Sequence, residues 1–343
     1  MDLTTLLSAR RELDRGAQPI HDVAAAERAL LESRAAPPGS AWIHEAVRVI
    51  AEHQRQGRGE RVWPLLRELE PLVLKRSESE PANAGRIVAA IAAQALLEGD
   101  AEAFLDRAGR AAEALDRAGE AGAASIERAA LGGGLLALGA DELAEGALDA
   151  AIAAADAAGL AITAAAARHD RARLALQRGA FEEARTLAAA AAEGFAAIGD
   201  RRMEGAARAV LATALAKLRR GEEAITEARR SQDALAGSAD QALAGAAMAR
   251  ALLATGQADE AVKAASGVKA GSVGWLAGGA APAWIALADA HAAAGDASAA
   301  AAAITEAKRA VLAFASKLRS PTLRRGYLER IPDHRRALAL DPA

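Results

Sequence analysis

The chain has 343 residues and a formal net charge of −3, so no excess of positive charge points to nucleic acid or to an anionic membrane surface. Hydrophobic residues make up 52% but aromatics only 3%, so alanine and leucine supply most of the apolar count. Cysteine is absent, which excludes disulfides, thiolate metal sites and a thiol nucleophile.

Alanine is the best helix former and the long runs carry few β-branched residues, so the chain reads as all-α. Pro37, Pro38, Pro81, Pro282, Pro321 and Pro332 lie mostly between runs. The segment Met1–Arg11 lacks a basic stretch followed by an apolar one, so it is no secretory signal. Ala147–Ala167 looks apolar, but Asp149, Asp156 and Gly159 interrupt it, and no stretch of about 20 residues suits a bilayer. A cytoplasmic location is expected. The preference for arginine over lysine reads as the codon bias of a GC-rich bacterial genome and carries no functional weight.

In chain order, the first helical runs are Leu3–Arg15 and His21–Ser33, divided at Gly16. Trp42–Gln56 and Glu60–Leu74 follow, divided by Gly57-Arg-Gly59. Ile87–Leu97 ends at Gly99-Asp100, which opens Ala101–Ala118. Pro37-Pro38-Gly39-Ser40 and Ser77–Pro81 are the clearest linkers, either loops between helical pairs or domain hinges.

From there a repeat takes over. Ala144, Ala184, Ala224, Ala261 and Ala300 are spaced by 40, 40, 37 and 39 residues, each shortly after a glycine turn. A fixed period of this size means a stacked array of one supersecondary unit. The last copy is the clearest: Trp284-x2-Leu287-Ala288-x2-His291-x3-Gly295, then Ala300-x3-Ile304-x2-Ala307. The same frame fits Leu131-Gly132, Leu135, Gly139, Ala144, Leu148 and Ala151, then Leu211-Ala212, Leu215, Ala224 and Ala228, then Met248-Ala249, Leu252, Gly256 and Ala261. Around Ala172, Ala175 and Gly179 the large position has become Arg171. Small residues at facing positions let paired helices approach, and leucine stripes bury against the neighbouring pair.

These residues resemble the tetratricopeptide repeat. The period departs from the usual length of about 34 and is similar to the longer repeats of bacterial signalling ATPases, kinases and transcription activators. The resemblance implies a right-handed superhelical solenoid of about eight helix-turn-helix pairs over residues 1–317. The pairs are weaker in 1–80 and clearest in 120–317. Sixteen repeat helices are expected, followed by a cap in 318–343 made of two short helices, the second opened by Pro332. The arginine-flanked Tyr327-Leu328, Pro332, His334 and Leu340 resemble the close of the repeat region in bacterial multidomain kinases and ATPases. Such relatives usually carry a catalytic domain upstream, and nothing upstream here can hold one, so a regulatory half is implied.

Little in the chain suggests chemistry. The histidines at 21, 44, 53, 169, 291 and 334 form no close ligand pair. His291 falls on a packed position of the repeat, and His169-Asp170 reads as a solvated helix face because adjacent helical residues diverge by about 100°. Gly132-Gly133-Gly134 and Gly271–Gly279 lack the Gly-Lys-Ser/Thr ending of a phosphate loop. No catalytic residue, cofactor or metal is expected, nor an enzyme. Trp275, in the longest connection, either folds back as core or stands out as an anchor for a partner.

What remains is a protein-interaction scaffold that holds a peptide or partner helix. In tetratricopeptide arrays the first helix of each pair lines the concave face. Mapped onto the aligned copies, that face receives His169, Arg173, Gln177, Thr213, Lys217, Arg250 and Asp289. Upstream copies add His44, Gln54, Arg55 and Arg86. The set is richer in positive than in negative side chains, which suits an acidic or carboxylate-bearing partner segment. The alternative is a nucleic-acid-binding helical array, which needs regular polar readers and a basic surface. Most reader positions here are alanine.

Overall fold

The computed structural model describes residues 1–14, 20–33, 38–267 and 274–339. The turn expected at Gly16, the linker residue Pro37, positions 271–273 of the glycine-rich stretch and the end of the cap at Leu340 lie outside the described residues.

Among the described residues, α-helices follow one another and no strand occurs. They begin with α1 (Leu3–Leu13), α2 (Val23–Glu32), α3 (Ser40–Arg55), α4 (Trp63–Arg76), α5 (Pro81–Glu98) and α6 (Ala101–Arg117). Next come α7 (Ala121–Ala137), α8 (Asp141–Ala158), α9 (Ala161–Gln177), α10 (Phe181–Ile198), α11 (Arg201–Lys217) and α12 (Gly221–Leu235). The last are α13 (Gln241–Ala254), α14 (Ala258–Ala265), α15 (Ala281–Ala293), α16 (Ala297–Ala315), α17 (Pro321–Glu329) and α18 (Pro332–Ala339). The sixteen expected repeat helices are α1 to α16, and α17 and α18 are the two short helices beyond them. Two helix starts differ clearly. The helix expected from Ile87 begins at Pro81, the last residue of the expected linker, and the helix expected from Glu60 begins at Trp63, after a 3-10 turn at Gly59–Val62. Pro64 has no N–H to give and is readily placed in the first turn of a helix, although Pro71 stands in the interior of the same helix.

The helices stop for a local reason. Gly99, Gly119, Gly139, Gly159, Gly179 and Gly199 all have φ between 67° and 78°, a left-handed conformation that closes a helix with little steric cost. They fall 20 residues apart, so the 40-residue repeat is two equal half-steps. The next step lands on Arg219, which holds φ 62° with a side chain attached. After several stops an aspartate restarts the chain: the Asp100, Asp200 and Asp296 carboxylates accept the N–H of Ala103, Met203 and Ala299.

The recurring alanines occupy one position. Ala144, Ala184, Ala224, Ala261 and Ala300 are each the fourth residue of α8, α10, α12, α14 and α16. Each donates its N–H to the carbonyl just before its helix, over 2.9–3.1 Å. The first four are fully buried, whereas Ala300 is half-buried. Small residues also mark the opposite helix of each pair. Gly205, fifth in α11, leaves room for Ala234 and Leu235; a Cβ there would stand 2.8 Å from both. Gly245, fifth in α13, sits so close to α14 that a Cβ would be 2.6 Å from the Ala264 carbonyl oxygen. Where Arg171 replaces a large apolar residue, its guanidinium pairs with Glu145 at 2.7 Å and Glu183 at 2.9 Å.

The chain divides into two compact units, Met1–Gly134 with Asp149–Thr163, and Leu135–Leu148 with Ala164–Ala343. The first has a core of Ile43, Ile50, Leu65, Leu69 and Ile87 among α3, α4 and α5. A fork from Arg10 to both carboxylate oxygens of Glu127, each at 2.8 Å, ties α1 to α7. Both partners are largely buried, so removing one strands a charge in a low dielectric. In the second unit, α18 buries Ala337 in a cluster with Ile285, Leu287 and Ile304 of α15 and α16. The cap also reaches back to the turn between α7 and α8. Gly326 of α17 lies against it, where a Cβ would be 2.8 Å from the Leu138 carbonyl oxygen. Arg330 pairs with Glu142 there at 2.8 Å.

Two glycine substitutions should move stability in opposite directions. Gly146, inside α8, has nothing near its missing Cβ, so Gly146→Ala should stabilise by up to about 1 kcal/mol through helix propensity. Gly326→Ala gains the same propensity yet should lose about 1–3 kcal/mol from overpacking on the α7–α8 turn. Arg219→Gly should stabilise by about 0.5–1 kcal/mol, the left-handed strain relieved less the added chain entropy. Urea unfolding of the three variants reads all three signs.

Candidate interaction surface

The residues expected on the free face sit on alternate helices. His169, Arg173 and Gln177 stand one turn apart along α9, Thr213 and Lys217 along α11, with Arg250 on α13 and Asp289 on α15. Lys217 is exposed, whereas Arg173 and Arg250 are partly buried.

The solvated surface expected at His169 and Asp170 is not found: their exposures are 8% and 1%. A buried carboxylate requires compensating positive charge. Arg173 Nη1 donates to Asp170 Oδ1 at 2.9 Å. Burial alone would raise the Asp170 pKa, but the positive charges around it, Arg173 among them, outweigh burial and lower it to about 2. His291, expected to be packed, is 22% exposed and 4.0 Å from Asp296.

Residues far along the chain engage the same side chains. Arg173 Nη1 also donates to the Leu276 carbonyl at 2.8 Å. Arg250 Nη2 donates to the Pro282 carbonyl at 2.9 Å and lies 3.5 Å from Asp333 Oδ2. Arg336 of α18 holds both carboxylate oxygens of Asp289, with Nη1–Oδ2 at 2.8 Å. The Thr213 hydroxyl turns back to the Ala209 carbonyl of its own helix at 2.9 Å, and the Gln177 side-chain oxygen is buried. Upstream, His44 is 3.9 Å from Asp14, Arg55 pairs with Glu52 and Arg86 pairs with Glu120 at 2.7 Å. Gln54 is buried and donates to the Ala90 carbonyl at 3.1 Å.

Trp275 is half-buried and stacks on Phe314 of α16, with centroids 5.9 Å apart and planes 21° from parallel. Phe314 meets Tyr327 at 5.0 Å, and Tyr327 meets His334 at 4.3 Å. One row of rings therefore joins the turn at Trp275–Ala277 to α16, α17 and α18. Burial pushes the Tyr327 hydroxyl pKa up. It pushes His334 down, against the opposing pull of the Tyr327 carbonyl 2.8 Å from Nδ1 and of Asp333. A neutral His334 donates its Nδ1–H to that carbonyl. The sequence reading of the surface omitted Leu276, Phe314, Asp333 and Arg336. The one signal was charge order, since Asp333 and Arg336 are opposite in sign to Arg250 and Asp289.

No family model matches the chain, and no curated protein matches it. Solved structures do resemble it. The apo quorum sensor NprR from B. thuringiensis aligns with TM-score 0.58 at 12% identity, over 91% of this chain and 89% of that one. A Rap protein complexed with competence and sporulation factor gives 0.56 at 12%, over 96% of each. A signal transduction ATPase with numerous domains and a tetratricopeptide repeat sensor, from Pyrococcus horikoshii, gives 0.56 at 14%. It is covered over 46% of its length, so this chain spans under half of that protein, with 88% of this chain aligned. The fold is a tetratricopeptide-like helical repeat. Among the described residues, no group of three or more histidine and acidic side chains could hold a metal ion, and no helix is long and apolar enough to cross a membrane.

A histidine held neutral by burial must take up a proton to unfold in acid. The folded pKa of His334 lies below its ordinary 6.5, so its contribution to stability is present above pH 6.5 and is lost as pH falls below it. The unfolding midpoint should drop between pH 7 and pH 5. His334→Asn, which keeps a donor for the Tyr327 carbonyl, should flatten that slope; His53, also lowered by burial, accounts for part of the remainder.

Proposed function

We propose that this chain is a regulatory protein-interaction module that binds a peptide segment or a helix of another protein across α9, α11 and α13, without catalysis of its own. The observation that carries this reading is the use made of Arg173 and Arg250. Both donate to main-chain carbonyls from further along the chain, Arg173 to Leu276 in a 3-10 turn and Arg250 to Pro282 in the first turn of α15, so this side of the helices accepts main-chain oxygens. Main-chain carbonyls are acceptors that every peptide offers, and exposed Lys217 between the two arginines adds a site for a carboxylate. An acidic partner segment fits that set. The likeness in fold to a tetratricopeptide repeat sensor and to quorum-sensing proteins agrees with a regulatory role.

The full chain, immobilised and exposed to lysate of its source organism, should retain partner proteins. The combined Arg173→Ala, Lys217→Ala and Arg250→Ala variant should lose at least tenfold of the same proteins while keeping its circular dichroism. Retention within twofold of the parent would remove this surface from consideration.

A further inference from the structure

We propose that the turn Gly274–Gly279 is a built-in occupant of this binding surface, and that the partner is a segment with an aromatic side chain that displaces it. The inference rests on the reading of α9, α11 and α13 as the binding side, and adds to it the regulation and the recognition chemistry.

The segment is seated as a ligand would be. Its Leu276 carbonyl takes a hydrogen bond from Arg173. Leu276 is 6% exposed, and Trp275 lies on Phe314. One carbonyl and one ring are features that another polypeptide can reproduce, and neither is a covalent tie.

The segment also has a place to bend. Gly278 and Gly279 hold φ of 92° and 66°, two successive left-handed residues between the ring contact and the start of α15. A side chain at either would be strained whatever the space around it. Release of Trp275 uncovers Phe314, the first member of the row that continues to Tyr327 and His334, so departure of the segment reaches the cap directly. The same cap holds Asp289 through Arg336 and faces Arg250 through Asp333. An incoming segment thus competes with its own mimic, and an aromatic side chain is what replaces Trp275 on Phe314.

The probe is a dye-labelled synthetic peptide with the sequence of residues 274–283, Gly-Trp-Leu-Ala-Gly-Gly-Ala-Ala-Pro-Ala. A tethered segment competes at an effective concentration on the order of millimolar. The parent chain should therefore bind the peptide weakly. Trp275→Ala, which loosens the internal copy, should bind it at least tenfold more tightly, and adding Arg173→Ala should cancel the gain. A peptide with alanine in place of its tryptophan should not bind. Equal affinity of parent and Trp275→Ala, or no saturable binding by either, overturns the proposal.

A second measurement does not depend on how Trp275→Ala folds. The chain has no cysteine, so Leu276→Cys carries a single thiol. That thiol should react with a disulfide reagent at least tenfold more slowly than one at Leu143→Cys, a position 67% exposed. Arg173→Ala should speed the Leu276→Cys reaction at least tenfold. Equal rates at the two positions show that the segment is not seated and refute the proposal, even if retention of partners from lysate still depends on Arg173. Slow, Arg173-dependent labelling with retention unaffected by the triple substitution refutes the binding surface instead.

Discussion

Paired helices can close to within touching distance of their backbones only where the crossing residues carry almost no side chain. Much else about this chain follows from that constraint. From α8 to α16 the fourth residue of each second helix is alanine, where α4 and α6 carry Leu66 and Phe104, and Gly205 and Gly245 stand in the facing helices close to α12 and α14. A methyl at Gly245 would run into a backbone oxygen, an atom that cannot rotate away. Short side chains bury little area each, so the array gains its stability from many thin contacts spread over neighbouring pairs. Buried leucines and the two fully buried phenylalanines, Phe104 and Phe195, fill what the alanines leave.

The scarcity of aromatic residues gives meaning to where they lie. Of four phenylalanines and one tyrosine, Phe314 and Tyr327 stand together with Trp275 in a single row that ends on His334. Ring pairs contribute roughly 0.5–1.5 kcal/mol each beyond the area they bury. In an alanine-built unit they join α16, α17 and α18 to the turn before α15. The cap is therefore more than a polar cover on the last repeat. It closes back on the α7–α8 turn through Gly326 and Arg330, contacts between residues nearly 190 positions apart.

What the sequence revealed and what it concealed divide by range. Helix ends were legible because glycine stops and aspartate caps act within four residues, as at Gly99-Asp100 and Gly295-Asp296. Pro321 and Pro332 marked the two cap helices for the same reason. The half-step of 20 residues was hidden at Arg219, where the left-handed stop carries a side chain that no pattern predicts. The surface was less legible. Register places Arg173 and Arg250 on one side of their helices, but it is silent on a carbonyl 103 residues away. Burial of Asp170 escaped notice too, because a His-Asp pair on a helix reads as solvated unless the charge that compensates it is known.

A surface that looks vacant in sequence and is occupied in the fold behaves differently as a binding site. Arginines left in water spend part of a partner's binding energy on ordering long side chains, whereas Arg173 and Arg250 are already held in position. Preorganisation of that kind favours binding, and self-occupation opposes it. A site that is open for only a fraction of the time binds with its intrinsic affinity reduced by that fraction. The two effects act on different terms, since the arginines set how well the open site binds and the seat of Trp275 sets how often it is open. On the proposed reading, substitutions in the aromatic row tune the threshold for a partner without altering the groups that recognise it. That separation is what a regulatory module requires, because sensitivity and specificity can then change independently.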